Sequence, residues 1–488
     1  MLVLPADQML KRAISALESG QLLFAEQAAR SVVKAAPSMA AAWVALGRVL
    51  IATIRFEEAT QVLDTAERLQ PGNVDALLAR GQMAWRLGRD EEVQAFAERV
   101  LKTRPQDHEA TILLGASLRR MGKLDQALET LRRIQNTETG ATYAAWTLLD
   151  MNDAQGAFNM VIPFAKRTNM APSARCNLFH VLGQAQERLG RYSDAFRSYT
   201  ESKTSVKVNF GEVELRRGVA LLKEIFTAEF LRNAPKPAVR TERPVFIAAM
   251  PRSGTTLLDR IIAAHPQGAG AGETRALRRQ IAEWHTPDPE TAWPRNVRKL
   301  GAADLDRIVV RYLEETNSFG PTALRIADKH LQNWVYVGLI AMAFPDARVI
   351  HLRRDPMDIG ISCYERLEPV ALPWSASLKH IGMSIRATEE MMAFWKDNAP
   401  IKILTVQYED IVRNQQSETR RIIEFLGLPW DDACLAHHTA KRGDGGQKPA
   451  PTLSSEQAAR PIKDDSIGRA AKFGALLDPL REALETPL

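Results

Sequence analysis

Apolar stretches such as residues 42–47 recur along the first two hundred residues, and small residues and prolines keep one interval between them. Pro37, Pro71 and Pro105 stand 34 residues apart. The other positions in register are Gly47, Gly81 and Gly115, with Gly183 two intervals later; Gly20, Gly88, Gly122, Gly156 and Gly190, with Ile54 at the missing position; and Ala25, Ala59, Ala127 and Ala195. Several residue types sharing one period disfavour a helical bundle with coincidental glycines and indicate an internal repeat.

A pair of helices explains each residue type in the repeat. A small residue inside the hairpin lets its two helices approach closely. Gly88 ends a helix, because a left-handed C′ residue is least strained as glycine, and proline closes the unit. One hairpin cannot bury its own apolar face, so neighbours stack into a solenoid. The unit resembles the tetratricopeptide repeat, which implies binding of a peptide or protein partner.

The repeat pattern weakens at 135–172, where only Gly156 keeps the interval, and recovers at 182–195. Residues 233–238 are proline-rich, which is typical of a linker. Beyond them, apolar strands alternate with helices, which favours a parallel sheet. The predicted organisation is an α-solenoid at 1–225, a linker at 226–243, and a P-loop-like parallel-sheet α/β domain at 244–488.

The strongest candidate for chemistry is the loop Pro251–Thr256, with sequence PRSGTT. It lies between a continuously apolar strand predicted at 244–250 and a helical pattern that starts at Leu257. Strand, loop and helix in this order direct backbone N–H groups and a helix dipole at an anion. The residues predicted to hold that anion are Arg252, Ser253, Gly254, Thr255, Thr256 and Leu257.

The loop differs from the nucleotide-binding P-loop, because GxxxxGK[ST] and its lysine are absent. A nucleotide kinase is therefore disfavoured, and an ordinary strand–turn–helix corner is the simpler alternative. From Pro251 through 264–266 (Ala-His-Pro) to 272–275 (Gly-Glu-Thr-Arg), the sequence resembles sulfotransferases. It is most similar to tyrosylprotein sulfotransferases and their bacterial relatives. The resemblance covers about 244–479 and implies 3′-phosphoadenosine 5′-phosphosulfate as sulfuryl donor, with no metal required.

The resemblance implies three catalytic residues. Glu273 matches the base that deprotonates the acceptor hydroxyl, although vertebrate members carry two adjacent glutamates here and this chain has one. Lys329 matches the lysine that reaches the bridging oxygen of the donor, and Ser454 matches a serine of the transition state. His330 is an alternative base of lower rank. The stretch 269–275 around Glu273 is expected to form a flexible loop after a helix.

Further residues match the nucleotide-binding positions of the family. Arg354, Ser362 and Arg366 have the spacing that binds the 3′-phosphate, and a strand end followed by a helix can bring them together. Tyr408 matches a tyrosine near the nucleotide, with a core tyrosine as the alternative. Residues 441–448 are expected to close over the donor as a lid. The later arginines predicted to add charge near the nucleotide are Arg460 and Arg469.

Composition limits the remaining possibilities. A net charge of +6 is small for 488 residues and does not suggest a nucleic-acid partner. Three widely spaced cysteines disfavour a disulfide framework or zinc site and fit a reducing compartment. No signal peptide is recognised, and the apolar stretch Val335–Phe344 is too short for a membrane span, so a buried helix and a cytoplasmic protein are expected.

The sequence thus predicts an O-sulfotransferase with a helical-repeat platform. Protein or peptide tyrosine is the first-choice acceptor. A carbohydrate or small-molecule hydroxyl is the alternative, and an interaction scaffold with an inactive sulfotransferase fold is the non-enzymatic one. A homodimer is compatible with the sequence but not required by it.

Overall fold

The computed structural model describes residues 5–283, 292–366, 369–438, 458 and 460–487. The chain divides into two compact units, Met1–Ser198 and Tyr199–Leu488. The boundaries at 225 and 243 stay a prediction. No helix among the described residues is long and apolar enough to cross a membrane.

The first unit consists of helices that pack in consecutive pairs, as the repeat pattern predicts. The last helix, α12, crosses into the second unit. The helices are α1 Ala6–Glu18, α2 Leu22–Ala35, α3 Ala40–Ala52, α4 Phe56–Leu69, α5 Val74–Leu87, α6 Asp90–Thr103, α7 His108–Arg120, α8 Leu124–Arg132, α9 Glu138–Asp150, α10 Ala154–Val161, α11 Pro172–Arg188 and α12 Tyr192–Thr204, with a 3₁₀ helix at Ile162–Phe164.

The structure confirms both predicted uses of glycine in the repeats. Gly88 ends α5 in the left-handed region, with φ of 72°, and its N–H and that of Arg89 return to the carbonyls of the last turn. Ile54 takes the same conformation, with φ of 64°, at the position where the glycine series is interrupted. Gly115 permits close packing, because a Cβ there would lie 2.4 Å from Leu131 Cγ.

The interpretation of Gly156 as a helix terminator is wrong. Gly156 lies in the first turn of α10, where its N–H donates to Asp153 Oδ1 at 2.7 Å. The turn residue before α10 is Asn152, with φ of 62°. The cause is a shortened unit, since α8 has 9 residues whereas α6 has 14. The next helix pair therefore starts early, and the register of Gly156 is coincidental.

The second unit is built on a five-stranded, all-parallel sheet with strand order β2-β3-β1-β4-β5. The strands are β1 Pro244–Ala248, β2 Gly268–Gly272, β3 Arg325–Asp328, β4 Arg348–Arg353 and β5 Lys402–Gln407. The helices are α13 Glu212–Ile225, α14 Ala228–Asn233, α15 Thr255–Ala264, α16 Ala276–Glu283, α17 Ala302–Asn317, α18 Asn333–Ala343, α19 Pro356–Arg366, α20 Leu378–Asn398, α21 Tyr408–Arg413, α22 Gln415–Phe425 and α23 Asp478–Glu485. Short 3₁₀ helices lie at Arg295–Lys299, Pro373–Ala376, Asp432–Ala436 and Arg469–Leu477.

Helices cover both faces of the sheet, so its strands are apolar on both sides. Phe246 of β1 packs into the core on one face, and Ile247 packs into the core on the other. The stretch Val335–Phe344 lies within and just after α18 and is largely buried, as predicted. Because all strands are parallel, their carboxyl ends lie at one edge, where α/β proteins bind ligands.

The flexible loop predicted at 269–275 is wrong for most of its length. Residues Gly268–Gly272 form β2, which pairs with β3. A Cβ at Gly268 would lie 2.1 Å from the Ile262 carbonyl oxygen, and one at Gly270 would lie 2.7 Å from Asp259 Oδ1. The strand consists of small residues because it lies directly against α15. Close packing therefore overrides the weak strand propensity of glycine.

Candidate functional site

The loop between β1 and α15 has the backbone of an anion-binding nest. Arg252 and Gly254 both lie in the left-handed region, with φ of 68° and 92°. Gly254 is the N-cap of α15 and has no side chain to accept the N–H groups of the first turn. These N–H groups and the helix dipole favour a negative charge at this end of α15. The geometry therefore supports the anion site predicted for PRSGTT.

Gly254 is also needed because Tyr408 lies against it. A Cβ at Gly254 would be 2.3 Å from Tyr408 Cδ2. Tyr408 begins α21 at the end of β5 and is buried, and its hydroxyl is 3.0 Å from Ser466 Oγ. The guanidinium of Arg354 stands 4.9 Å from the centre of the Tyr408 ring. Tyr408 thus contacts both the core and a cleft beside the loop.

The hydroxyl residues of the loop are directed inward. Ser253 is fully buried, and Thr255 and Thr256 are nearly so. Ser253 Oγ has no hydrogen-bond partner among the residues that the structure describes. A buried hydroxyl of this kind is costly unless it is hydrogen-bonded. Thr256 and Leu257 line the cleft beside the loop, whereas Ser253 and Thr255 are not among its lining residues in the described part of the chain.

The predicted 3′-phosphate residues are brought together beside the loop. Arg252 Nε donates to Ser362 Oγ at 3.0 Å, and Arg354 Nη1 donates to the Arg252 carbonyl at 2.7 Å. Burial lowers the pKa of Arg252, and the nearby cation of Arg366 lowers it further. Glu365 holds Arg366 by an ion pair and raises its pKa. This crowding of cations favours an anionic ligand.

A cleft runs from the loop to the C-terminal segment, and it includes one of the two late arginines predicted from sequence, Arg460. Arg469 lies instead beside Glu365, with Nη2 3.3 Å from Oε2. The residues that line the cleft are Arg252, Gly254, Thr256, Leu257, Arg354, Tyr408, Ala458, Arg460, Pro461, Ile462, Lys463 and Asp465.

Lys329 and Glu273 meet at the ends of β3 and β2. Lys329 Nζ donates to Glu273 Oε1 at 2.9 Å, and the Lys329 N–H donates to the Gly272 carbonyl at 2.9 Å. The Lys329 side chain is 2% exposed and that of Glu273 is 37% exposed. A buried cation is thus held beside an accessible carboxylate, which is an arrangement suited to proton abstraction next to developing negative charge.

Asp328, the residue before Lys329 at the end of β3, is buried and held by hydrogen bonds that the sequence does not indicate. Tyr312 Oη donates to its Oδ2 at 3.0 Å, and Asn333 Nδ2 donates to its Oδ1 at 3.1 Å. Burial raises the pKa of Asp328 to about 6, against the lowering effect of these hydrogen bonds. Asn333 Nδ2 also donates to the Ile247 carbonyl of β1 at 3.2 Å, so it links the strand before the anion loop to the strand before Lys329.

His330 lies next to Lys329 and is the alternative base predicted from sequence. Burial and the charge of Arg278 lower its pKa to about 4, and its Nδ1 accepts from the Gln332 N–H at 3.2 Å. One of its ring nitrogens is therefore engaged, whereas Glu273 has a side chain that is 37% exposed beside Lys329. Glu273 stays the first candidate, and the identity of the base stays a prediction.

Two sequence predictions lie outside the described residues: Ser454 and the lid at 441–448. Sequence reasoning also missed Ser466 and Asp358. Arg354 Nη2 donates to the Ser466 carbonyl at 2.6 Å. The carboxylate of Asp358 accepts the N–H groups of Gly468 and Ala470. These contacts join residues more than a hundred positions apart, and no local sequence motif indicates them.

Comparison with known proteins gives matches for both units. Residues 244–432 match the sulfotransferase family, and residues 10–74 and 44–92 match the tetratricopeptide repeat. Protein-tyrosine sulfotransferase A of Caenorhabditis elegans is 27% identical over 244 residues, which cover 47% of this chain and 61% of that protein. An uncharacterized protein of Aquifex aeolicus is 25% identical over 375 residues, or 75% of this chain and 48% of its own length. The chain thus spans about half to two thirds of these relatives.

Among solved structures, the sulfotransferase domain of the Synechococcus PCC 7002 olefin synthase is 22% identical. The match covers 49% of this chain and 98% of that chain, with a TM-score of 0.29.

Proposed function

We propose that this chain transfers a sulfuryl group from 3′-phosphoadenosine 5′-phosphosulfate to an acceptor hydroxyl. The chain carries a tetratricopeptide-repeat region followed by a sulfotransferase-family domain that is distantly related to protein-tyrosine sulfotransferases. The observation that carries the proposal is the convergence of two anion sites. The nest at Arg252 and Gly254 suits a 5′-phosphosulfate, and Ser362 with Arg354 beside it suits a 3′-phosphate.

Donor selection follows from these two sites. ATP and ADP have no 3′-phosphate, so they would leave the cations around Ser362 without their anion. The loop also lacks the lysine that a P-loop kinase uses on the β- and γ-phosphates. A kinase is therefore the weaker hypothesis.

The transfer chemistry is assigned to Glu273 and Lys329. Glu273 accepts the acceptor proton, the acceptor oxygen forms a bond to sulfur, and the bond from sulfur to the 5′-phosphate oxygen breaks in line. Lys329 places its ammonium on that departing oxygen, which becomes part of 3′-phosphoadenosine 5′-phosphate. The reaction is governed by positioning and electrostatics, as in phosphoryl transfer. Ser454 is proposed to contact the same group.

Protein or peptide tyrosine is the proposed acceptor. The matched relatives named protein-tyrosine sulfotransferases support it, and the repeat region is of a kind that binds proteins. A carbohydrate or small-molecule hydroxyl is the second candidate. We also propose a cytoplasmic location, which fractionation of cells that express the tagged chain tests.

Calorimetric titration tests the donor. We expect the chain to bind 3′-phosphoadenosine 5′-phosphate more tightly than ADP, and a preference for ADP would contradict the proposal. Transfer of labelled sulfate from the donor into a cell extract then tests the reaction. Identification of the labelled species by mass spectrometry distinguishes tyrosine from a carbohydrate, and absence of labelling with donor bound favours the inactive scaffold.

A further inference from the structure

We infer that Asp358 is a positioning residue of the donor site, which fixes the segment Ser466–Ala470 so that Arg469 can reach the 3′-phosphate. The inference rests on the proposed function and extends it to Asp358 and Ser466, which neither the loop nor the family spacing includes.

Both carboxylate oxygens of Asp358 accept hydrogen bonds from this segment. It lies in the first turn of α19 and is 1% exposed. Its Oδ2 accepts the Gly468 N–H at 2.7 Å, and its Oδ1 accepts the Ala470 N–H at 2.8 Å. A buried carboxylate is stable only when it is well hydrogen-bonded, and the N-terminal end of a helix favours its charge. The two N–H groups on either side of Arg469 are therefore held by one strong acceptor.

The same segment is attached to the predicted donor residues at its start. The Ser466 carbonyl accepts from Arg354 at 2.6 Å, and Ser466 Oγ is 3.0 Å from the Tyr408 hydroxyl. Asp358, Arg354 and Tyr408 thus hold the segment from different elements. Its position depends on the same side chains that form the wall of the cleft.

The contacts on the segment Ser466–Ala470 determine the position of Arg469. Gly468 has φ of 72° and turns the chain immediately before it. The Arg469 guanidinium lies 3.3 Å from Glu365, and the same carboxylate pairs with Arg366 at 2.8 Å. Asp358 and the buried Glu365 therefore align Arg469 with Arg366, the second arginine predicted for the 3′-phosphate.

The test compares two ligands that differ only in the 3′-phosphate. Calorimetry measures the affinities of 3′-phosphoadenosine 5′-phosphate and AMP for the wild-type chain, Asp358→Asn, Arg469→Ala and the double variant. An asparagine keeps one acceptor oxygen but turns an amide NH₂ toward a backbone N–H. We expect Asp358→Asn to weaken the binding of 3′-phosphoadenosine 5′-phosphate about tenfold, a loss typical of a buried charge-assisted hydrogen bond. The binding of AMP should weaken less than twofold. Arg469→Ala should act similarly, and the double variant should add little.

The controls separate this role from simple destabilisation. Asp410→Asn changes an exposed carboxylate on α21 and should leave both affinities unchanged. Equal weakening of both ligands by Asp358→Asn, or an unchanged ratio of affinities in a folded variant, would overturn the inference. If Asp358→Asn does not fold, Arg469→Ala and Ser466→Ala still test whether the segment contributes to 3′-phosphate affinity. A wild-type chain that does not prefer the 3′-phosphorylated ligand contradicts the proposed function itself, before any variant is compared.

Discussion

Lys329 Nζ lies 2.9 Å from Glu273 Oε1, where the parallel strands β3 and β2 end side by side. The ion pair joins the proposed base to the cation proposed for the leaving group. While the pair is intact, part of the carboxylate is occupied by the ammonium. A donor oxygen that draws Lys329 away would leave Glu273 free to accept a proton, so we predict that donor binding and activation of the base are coupled through this contact.

Glu273→Gln separates binding from chemistry. The amide cannot accept the acceptor proton, and loss of a general base costs typically 10²–10⁴-fold in rate. We expect sulfate transfer to fall by about 10³-fold, while 3′-phosphoadenosine 5′-phosphate binds as tightly as before or a few-fold more tightly, because Lys329 is released from its partner. Labelled-sulfate transfer and calorimetry measure the two effects. Glu283→Gln, on the exposed face of α16, is the matched control, and a normal rate in Glu273→Gln would rule out this residue as the base.

Gly254→Ala should weaken donor binding without unfolding the chain. The new Cβ would lie 2.3 Å from Tyr408 Cδ2, and the φ of 92° is strained for alanine. The loop must therefore shift, which misaligns its N–H groups. Titration with 3′-phosphoadenosine 5′-phosphate should show at least about tenfold weaker binding. Gly218→Ala is the matched control, because nothing lies within 4 Å of its added Cβ in α13. Equal affinity in both variants would contradict the nest.

The elements that sequence reasoning predicts well are those with local causes. The repeat interval predicts the helix pairs, and the apolar run at 244–250 followed by PRSGTT predicts β1, the loop and α15. Gly156 and β2 show the limit. The register of Gly156 fails because α8 is shortened, and β2 consists of glycine and alanine because of the closeness of α15. The first cause is a change in helix length inside the repeat, and the second is tertiary packing.

The same limit applies to the site. Residues that touch the proposed ligand lie in recognisable local patterns, such as Arg354 and Ser362 after β4. Residues that support them do not. Asp328 accepts from Tyr312, 16 residues away, and Asp358 accepts from Gly468, 110 residues away. An aspartate by itself carries no pattern. The burial that makes each of them important becomes evident only from the folded chain.

His330 and Asp328 should give opposite pH dependences of stability. The folded pKa of His330 is about 4, below its usual 6.5. As the pH falls from 6.5 to 4, the imidazole of His330 is protonated in the unfolded chain before it is protonated in the folded chain. The free energy of unfolding therefore decreases over this window. The folded pKa of Asp328 is about 6, above its usual 3.8, so acidification from 6 to 3.8 favours the folded state.

Denaturant unfolding at pH 7 and pH 5 tests these signs. Relative to the wild-type chain, His330→Gln should gain stability on going to pH 5, and Asp328→Asn should lose it. The change is at most about 1.4 kcal/mol per pH unit for one proton. Identical differences from wild type at both pH values would show that neither group titrates differently in the folded chain.

Ile54→Gly should cost the first unit little stability, although it removes a half-buried apolar side chain. Ile54 has φ of 64°, and an L-residue in the left-handed region is strained by about 1–2 kcal/mol, which glycine relieves. Ile54 is 48% exposed, so the other half of its burial, worth about 1 kcal/mol, is lost. The hydrogen bonds of the turn, Ile54 N–H to Ile51 and Arg55 N–H to Leu50, match those of Gly88 and Arg89. Relief of strain should therefore nearly offset the lost burial and the entropy cost of glycine, with a net change within about 1 kcal/mol.

The reciprocal variant provides the control for this prediction. Gly88→Ile places a β-branched residue at φ of 72° and should destabilise the unit by about 1–2 kcal/mol. Scanning calorimetry should therefore show the melting transition of the repeats falling for Gly88→Ile and nearly unchanged for Ile54→Gly, with about 2–4 °C per kcal/mol for a unit of this size. Equal falls in both variants would mean that Ile54 contributes packing beyond its turn, so that side-chain identity rather than backbone conformation decides this position. A nearly neutral Ile54→Gly beside a destabilising Gly88→Ile would show that the 34-residue period marks a backbone requirement, which glycine meets without strain and isoleucine meets at a cost.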